Sequence, residues 1–442
     1  MEAFKITGKT PLHGSVRIGG AKNASYKLMI ASLLANSESR LLNFSHISDV
    51  ETVAGIIAQS GCQVKKAGER ALFIDPTGFS STDLRHINGK QGRFSTLFIA
   101  PLLARHGQAI VPIPGGDKIG KRPLERHFQG LEALGAHIEE KDGLITARTD
   151  GLKGTTYHFS KNTHTGTETV LLAAVLAEGT TVLENAAEEP EVDDLILYLN
   201  AMGARISREA NKVIRIEGVP ELHGAIHKIM PDRNEAVSYA CAALVTKGDV
   251  IIENARAEHI TAFLTALDSI KAGYEIGTYG IRFFWKEPLM ATDIATAIEP
   301  GFMTDWQPLL ATVLTQCQGI STLHETVMQD RFQYVDQLKN MGADIERFQP
   351  EVIDKEMTYN FNLTDDSPEA THAIRVHGPS NLQAGTFKVY DLRHGATLMI
   401  AAMAAHGESI LMGIEHIERG YEALPERLNS IGAQIERVNL AT

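Results

Sequence analysis

Cysteine, tryptophan and long apolar runs are all scarce in this chain, and each scarcity removes a class of explanation. Cys62, Cys241 and Cys317 are the only cysteines in 442 residues, and no two have CxxC spacing. Disulfide frameworks and thiolate zinc sites are therefore excluded, and buried free thiols are expected instead. No metal site and no cofactor are indicated. The apolar stretches reach about 10 residues, half of what a membrane-spanning helix needs. Met1-Glu2-Ala3-Phe4 also lacks the basic-then-apolar pattern of a leader. Both features lead us to expect a cytoplasmic protein with no membrane partner. Positive charge is in deficit, with 42 Lys and Arg against 54 Asp and Glu and a formal net charge of −12. That balance argues against nucleic acid or an anionic lipid surface as a general partner. Any anionic ligand must meet a local cluster of cations.

What the chain has in abundance is repetition. Apolar helix-like segments recur at Leu28 to Leu34, Leu97 to Ala104, Leu171 to Ala177, Tyr239 to Val245, Leu309 to Leu314 and Thr397 to Ala404. Four of them turn through glycine, at Gly107, Gly179, Gly248 and Gly407. A second helix-like segment follows each and ends at Gly61, Gly135, Gly203, Gly273, Gly342 or Gly432, where glycine reads as the helix C-cap and the alternating stretch beyond it as a strand. The marker glycines lie about 70 residues apart, so each unit holds several strands and helices of its own, unlike the shorter solenoid repeats. The last interval is longer. Its polar stretch from Gln349 to His372 reads as an exposed insertion with some strand. Six units divide most simply as three plus three, giving two similar α/β lobes.

Charged residues stand at the start of most apolar helices: Lys22, Arg93, Arg233 with Asp232, Asp305, and Arg393 with Asp391. The third unit has His164-Thr165-Gly166-Thr167 there. Helix N-termini present free N–H groups and a positive partial charge, so converging starts reinforced by Lys and Arg form an anion-binding centre. Aspartate at such a position is equally a helix cap, whereas Lys and Arg gain nothing from capping. The densest feature is the loop Ile113-Pro114-Gly115-Gly116-Asp117-Lys118-Ile119-Gly120-Lys121-Arg122-Pro123. Its glycines and prolines forbid regular structure, and its three cations and one carboxylate suit a segment that wraps and closes over phosphate.

With the repeat and the loop established, the chain resembles the enolpyruvyl transferases, in the branch that uses UDP-N-acetylglucosamine as acceptor. The resemblance runs through Gly19-Gly20-Ala21-Lys22-Asn23-Ala24, the Pro114 to Pro123 loop, Glu184-Asn185-Ala186-Ala187, Pro231-Asp232-Arg233, Thr304-Asp305, Asp330-Arg331-Phe332, Asp391-Leu392-Arg393 and Arg419-Gly420-Tyr421-Glu422. It implies a two-lobed inside-out α/β barrel of six βαβαββ repeats. One lobe would span residues 22–230, with the loop at 113–123. The other would combine 1–21 with 231–442, with the insertion near 349–372, and the helix starts would face the cleft between lobes.

The implied reaction moves the enolpyruvyl group of phosphoenolpyruvate to the 3′-hydroxyl of UDP-N-acetylglucosamine and releases phosphate, as the first committed step of peptidoglycan synthesis. It needs an acid, a base and strong anion binding. The motif match gives Asp305 as base, with Lys22, Arg122 and Arg419 on the phosphate of phosphoenolpyruvate. Arg331 and Arg393 would lie near its carboxylate, and Asn23 would touch substrate or intermediate. Arg93, the stretch Arg122, Pro123, Leu124, Glu125 and Arg126, the segment Asn162, Thr163, His164 and Thr165, and Val327 match the nucleotide-sugar site. Asp232 would add a helix-end contact or only a cap.

Asp117 stands where most of the family has Cys, and it reads as the general acid in carboxyl form. A free Asp titrates near 3.9, so reaching about 7 takes about 4 kcal/mol of preference for the neutral form. Loss of the thiol also implies insensitivity to fosfomycin, which alkylates that cysteine, because a carboxylate is the weaker nucleophile. Ser48 replaces a Lys frequent in the family, and the 349–372 insertion has no clear counterpart. Gly-Ser-Lys-Ser and Gly-Asn-Ala-Gly-Thr, the marks of the shikimate-pathway branch, are absent. Two other readings are a diverged, catalytically weak paralogue that binds a UDP-sugar, and a repeat scaffold without activity. The first is opposed by a base retained beside the acceptor site, the second by cations recurring at helix starts.

Overall fold

The computed structural model describes residues 1–87, 92–116, 120–209 and 212–440. The chain falls into two compact units. One comprises Met1–Gly19 and Pro231–Thr442; the other is carried by the chain between, from Gly20 to Met230. Among the described residues, each unit has its own apolar core and three sheets.

One repeat shows the pattern of all six. The strand Thr156–His158 leads through the helix His164–Ala174 to Thr180–Glu184, and then through Pro190–Ala201 to the hairpin Arg205–Glu209 and Val213–Glu217. The first two strands pair in parallel, with Tyr157 opposite Leu183, and the others pair antiparallel. A parallel pair needs a long crossover, which the intervening helix supplies. Parallel first pairs recur in the other four-stranded sheets. In the three-stranded sheet the first strand shrinks to a single parallel bridge, Asp83 to Ile110.

The chain ends are used to finish repeats begun elsewhere. Glu2–Thr7 lies between Glu408–Met412 and Gln434–Asn439. His13–Arg17 opens the sheet of Asp249–Glu253, and Ile226–Lys228 completes the sheet of Ser39–Leu42. The six crossover helices Lys22–Ala31, Ser95–His106, His164–Ala174, Arg233–Val245, Gln307–Leu314 and Leu392–Ala404 are buried nearly all round, as helices without a polar face must be. The second helix of each repeat is amphipathic: Ser48–Gln59 buries Val50, Val53, Ile56 and Ile57 and exposes its opposite face. The expected apolar helices are therefore the centre of each unit, with the sheets outside them. The three cysteines are free and buried. Among the described residues, no helix is long and apolar enough to cross a membrane.

Two expectations are corrected. Gly273 is not a C-cap: it begins the strand Gly273–Gly277, and the left-handed position is taken by Lys271 at φ 61°. A Cβ on Gly273 would lie 2.3 Å from the Phe284 ring, so this glycine permits close packing instead. The insertion holds no strand among its described residues; it contains a short helix, Lys355–Thr358, and a turn at Leu363–Asp365. Nor is it wholly exposed, because Tyr359 and Phe361 are buried and stack at 4.9 Å. Alternation of polar and aromatic residues there marks anchoring side chains rather than a strand face.

Candidate active site

In the unit that carries Lys22, two of the three core helices pair the charge at their N-terminus with a defined partner. Lys22 is the first residue of its helix and pairs at 2.9 Å with Asp49, which lies in the first turn of Ser48–Gln59. Both side chains are buried, a placement that costs several kcal/mol per ion before pairing offsets it. Ser48, beside Asp49, is exposed. Asn23 follows on the same helix and is half-buried.

One turn further on, Lys27 lies 2.5 Å from Glu168 and 2.9 Å from the His164 Nε2 atom. His164 opens the His164–Ala174 helix and also faces Glu168 at 3.2 Å and Glu189 at 3.9 Å. Burial and Lys27 disfavour the imidazolium, yet the two carboxylates outweigh them and raise its pKa. Thr163 caps this helix by accepting the Gly166 N–H, and the Thr165 carbonyl accepts the Thr169 hydroxyl. Asn162 donates to the Asn185 carbonyl.

A second group surrounds His127, on the helix Glu125–Ala133 that begins just after Pro123 and Leu124. His127 is fully buried, and burial together with Arg93, Arg122 and Arg126 pushes its pKa down to about 3. The ring stays neutral and shares a 2.9 Å hydrogen bond with the Thr169 hydroxyl. Burial and the Arg122 charge lower the Arg93 pKa to about 10, and among the described residues no carboxylate pairs with Arg93. Gly116 is placed so that a Cβ would lie 3.2 Å from Arg93 and 3.4 Å from the Arg122 guanidinium. Glycine there lets the loop backbone approach both cations. Glu125 is exposed on the same helix. Guanidiniums gathered this way suit bidentate phosphate recognition.

The other unit presents a different arrangement. Asp305 precedes the core helix Gln307–Leu314 but does not cap it; the N-cap is Trp306, which has no side-chain capping bond. Its carboxylate is held from both sides, by Arg331 at 2.7 Å and by Arg393 at 3.1 Å. Arg393 is buried on the Leu392–Ala404 helix and also donates to the Tyr421 hydroxyl at 2.8 Å, which in turn meets Ser238 at 2.7 Å. Among the described residues, the buried Nε of Arg331 has no hydrogen-bond partner. Asp232 and Asp391 do cap helices, and Arg233 pairs with Glu299 at 2.6 Å. Arg419 follows the short helix Glu415–Glu418 and is half-buried. Val327 is half-buried in the loop after strand Gly319–His324.

The structure thus gathers Arg93, Arg122 and Arg126 about His127, and Arg331 and Arg393 about Asp305. Asp117 lies outside the described residues. The sequence reading missed Asp49, Lys27, Glu168 and His127, since nothing local distinguishes a buried partner from a surface charge. A charged residue inside an otherwise apolar helix, as at Lys27 and Glu168, was the available signal. Among the described residues, no group of His, Cys, Asp and Glu is arranged to hold a metal ion.

The family profile described as EPSP synthase (3-phosphoshikimate 1-carboxyvinyltransferase) matches residues 6–428. The chain belongs to this family of enolpyruvyl transferases. Similar relatives are named UDP-N-acetylglucosamine 1-carboxyvinyltransferase. The one from Halothermothrix orenii is 37% identical over 438 residues, 99% of this chain and 100% of the relative. The one from Acidobacterium capsulatum is 39% identical over 444 residues, 99% of this chain and 96% of the relative. Among solved structures, the enolpyruvyl transferase NikO from Streptomyces tendae superposes with a TM-score of 0.84 at 21% identity, covering 100% of this chain and 99% of that one. An EPSP synthase from Acinetobacter baumannii gives 0.75 at 19%, covering 99% and 100%. The enolpyruvyl transferase fold is common to all of them.

Proposed function

We propose that this chain transfers the enolpyruvyl group of phosphoenolpyruvate to the 3′-hydroxyl of UDP-N-acetylglucosamine and releases phosphate, the first committed step of peptidoglycan synthesis, in the cytoplasm. The observation that carries this reading is Asp305, an uncapping carboxylate at a core helix start gripped by Arg331 and Arg393. It stands in a chain that keeps 37% and 39% identity from end to end with relatives of that name.

In the proposed reaction Asp117 delivers a proton to the methylene carbon, and C2 becomes electron-poor. The sugar oxygen bonds to C2 as its proton passes to Asp305. The tetrahedral adduct then loses a methyl proton to the Asp117 carboxylate while its C–O bond to phosphate breaks, and the departing phosphate takes the proton held by Asp305, which restores both groups. Arg331 and Arg393 fix the orientation of Asp305, whose carboxylate oxygens are the acceptors for the incoming proton. When the carboxylate of phosphoenolpyruvate shares those guanidiniums, their hold on Asp305 weakens and its affinity for a proton rises. Lys22, Arg122 and Arg419 bind the phosphate of phosphoenolpyruvate, and Asn23 contacts the intermediate. Arg93, Arg122 to Arg126, Thr163 to Thr165 and Val327 bind the nucleotide sugar.

The test is phosphate release from phosphoenolpyruvate in the presence and absence of UDP-N-acetylglucosamine, with Asp117→Asn alongside wild type. Release only with the nucleotide sugar, and its strong loss in the variant, is the expected result. Binding of the sugar without release would point instead to a diverged paralogue. Fosfomycin is expected to leave wild type unmodified and to inactivate Asp117→Cys progressively; a time-dependent adduct on the wild-type chain would overturn the role of the carboxylate.

A further inference from the structure

One buried carboxylate has no part in the scheme above. Glu325 is wholly inaccessible to solvent, yet its two oxygens receive four hydrogen bonds from three separate segments. Oε1 accepts from the Thr296 hydroxyl at 2.9 Å, the Val327 N–H at 2.9 Å and the Met328 N–H at 3.0 Å. Oε2 accepts from the Thr304 hydroxyl at 2.9 Å. Thr304 immediately precedes Asp305, and Val327 and Met328 begin the loop that leads to Arg331. Thr296 ties in the end of strand Asp293–Ala295 and accepts the Thr326 N–H at 2.8 Å. The Glu325 N–H donates to the His372 carbonyl at 2.7 Å, where the 349–372 insertion rejoins the sheet.

We infer that Glu325 is a positioning residue that holds the Thr304–Asp305 turn and the Val327-to-Arg331 loop in register, so that one carboxylate sets both partners of the 2.7 Å Arg331–Asp305 contact. The inference rests on the functional reading given above. A purely structural carboxylate would join any two loops; this one joins the residue beside the base to the segment that carries its guanidinium partner and Val327. Four donors fill a carboxylate's acceptor sites as no neutral side chain of that length does. Burial raises the Glu325 pKa, and the Val327 N–H and Arg331 oppose that rise. Arg331 therefore supports the charge that fixes its own loop. A shift of the base by about 1 Å is enough to cost about a hundredfold in rate.

Two threonine variants separate positioning from stability. Thr304→Val removes only the bond next to Asp305, and Thr296→Val removes a bond to the same carboxylate on the side away from it. Phosphate-release kinetics and thermal midpoints are compared for both, with Glu325→Gln and Glu325→Leu alongside. Thr304→Val is expected to lose about tenfold in kcat with little change in KM for phosphoenolpyruvate, beyond what its midpoint explains from Thr296→Val. Glu325→Gln retains Oε1 and can donate to Thr304, so it is expected to stay within about fivefold of wild type, while folded Glu325→Leu loses about a hundredfold. The inference is overturned if activity in Thr304→Val and Thr296→Val falls in proportion to stability alone, or if folded Glu325→Leu works normally. Wild type without phosphate release would instead remove the functional reading itself.

Discussion

The two units share one architecture, three βαβαββ repeats around three buried helices, but the charge clusters around Asp305 and around His127 are built differently. Around Asp305 the charges are matched: Arg331 and Arg393 hold the carboxylate, Arg233 meets Glu299, and Arg427 meets Glu235 and Glu422 at 3.0 and 3.1 Å. Around His127 three guanidiniums, those of Arg93, Arg122 and Arg126, lie about a ring that stays neutral, and among the described residues no carboxylate pairs with Arg93. The first arrangement is fixed before substrate arrives, and preorganised charge of that kind suits chemistry. The second concentrates positive charge around a neutral ring, an arrangement that suits recognition of an anion. One scaffold repeated six times supports both because the helix starts are set by the fold, while the residues on them are free to differ.

The largest effect tests the matched side. Asp305→Ala is expected to lower kcat about a thousandfold, read as phosphate release at saturating substrates, with the fold retained. A loss confined to KM would show that Asp305 binds and does not take the proton. Next, in the cluster around His127, Arg93→Met is expected to raise KM for the nucleotide sugar about tenfold with kcat nearly unchanged. It is also expected to raise the melting temperature of the free protein, since it relieves repulsion. A lower melting temperature would mean the cluster is stabilising without ligand, and the contrast between units would fail.

The cluster also predicts an acid sensitivity. His127 has a folded pKa of about 3 against 6.5 for a free imidazole, so the unfolded chain takes up the proton that the folded one refuses. Its contribution to stability is complete above pH 6.5 and is lost progressively as pH falls toward 3, amounting to roughly 5 kcal/mol in all. Denaturant unfolding of His127→Leu from pH 7 down to pH 4 should show a shallower decline than wild type; parallel curves would rule the histidine out as the cause. The smallest effect concerns Lys271, which takes a left-handed conformation where five of the six repeats place glycine. Lys271→Gly is expected to stabilise by about 1 kcal/mol. No change in the unfolding midpoint would show that neighbouring contacts already absorb the strain.

Much of the fold was legible in the sequence because it depends on patterns that local physics imposes. Apolar segments without a polar face, such as Leu392–Ala404, can only be central helices. The Gly342-Ala343-Asp344-Ile345 type of ending announces a helix stop and a strand. The same rule failed at Gly273 because glycine has two uses, a left-handed turn and close packing, and only the Phe284 ring shows which applies. The insertion was misread because Tyr359 and Phe361 find their partners at His372 and in each other, contacts that no local pattern announces.

The sequence by itself determined the repeat, the six buried helices and the charged residues at their starts, since periodicity and residue chemistry are properties of neighbours along the chain. Only the tertiary structure decided which charges neutralise one another. Asp232, Asp305 and Asp391 occupy similar places in sequence, yet two cap helices and one is held by arginines 26 and 88 residues away. That choice depends on which side chains the packed helices bring within 3 Å, and on how expensive each charge becomes once water has left.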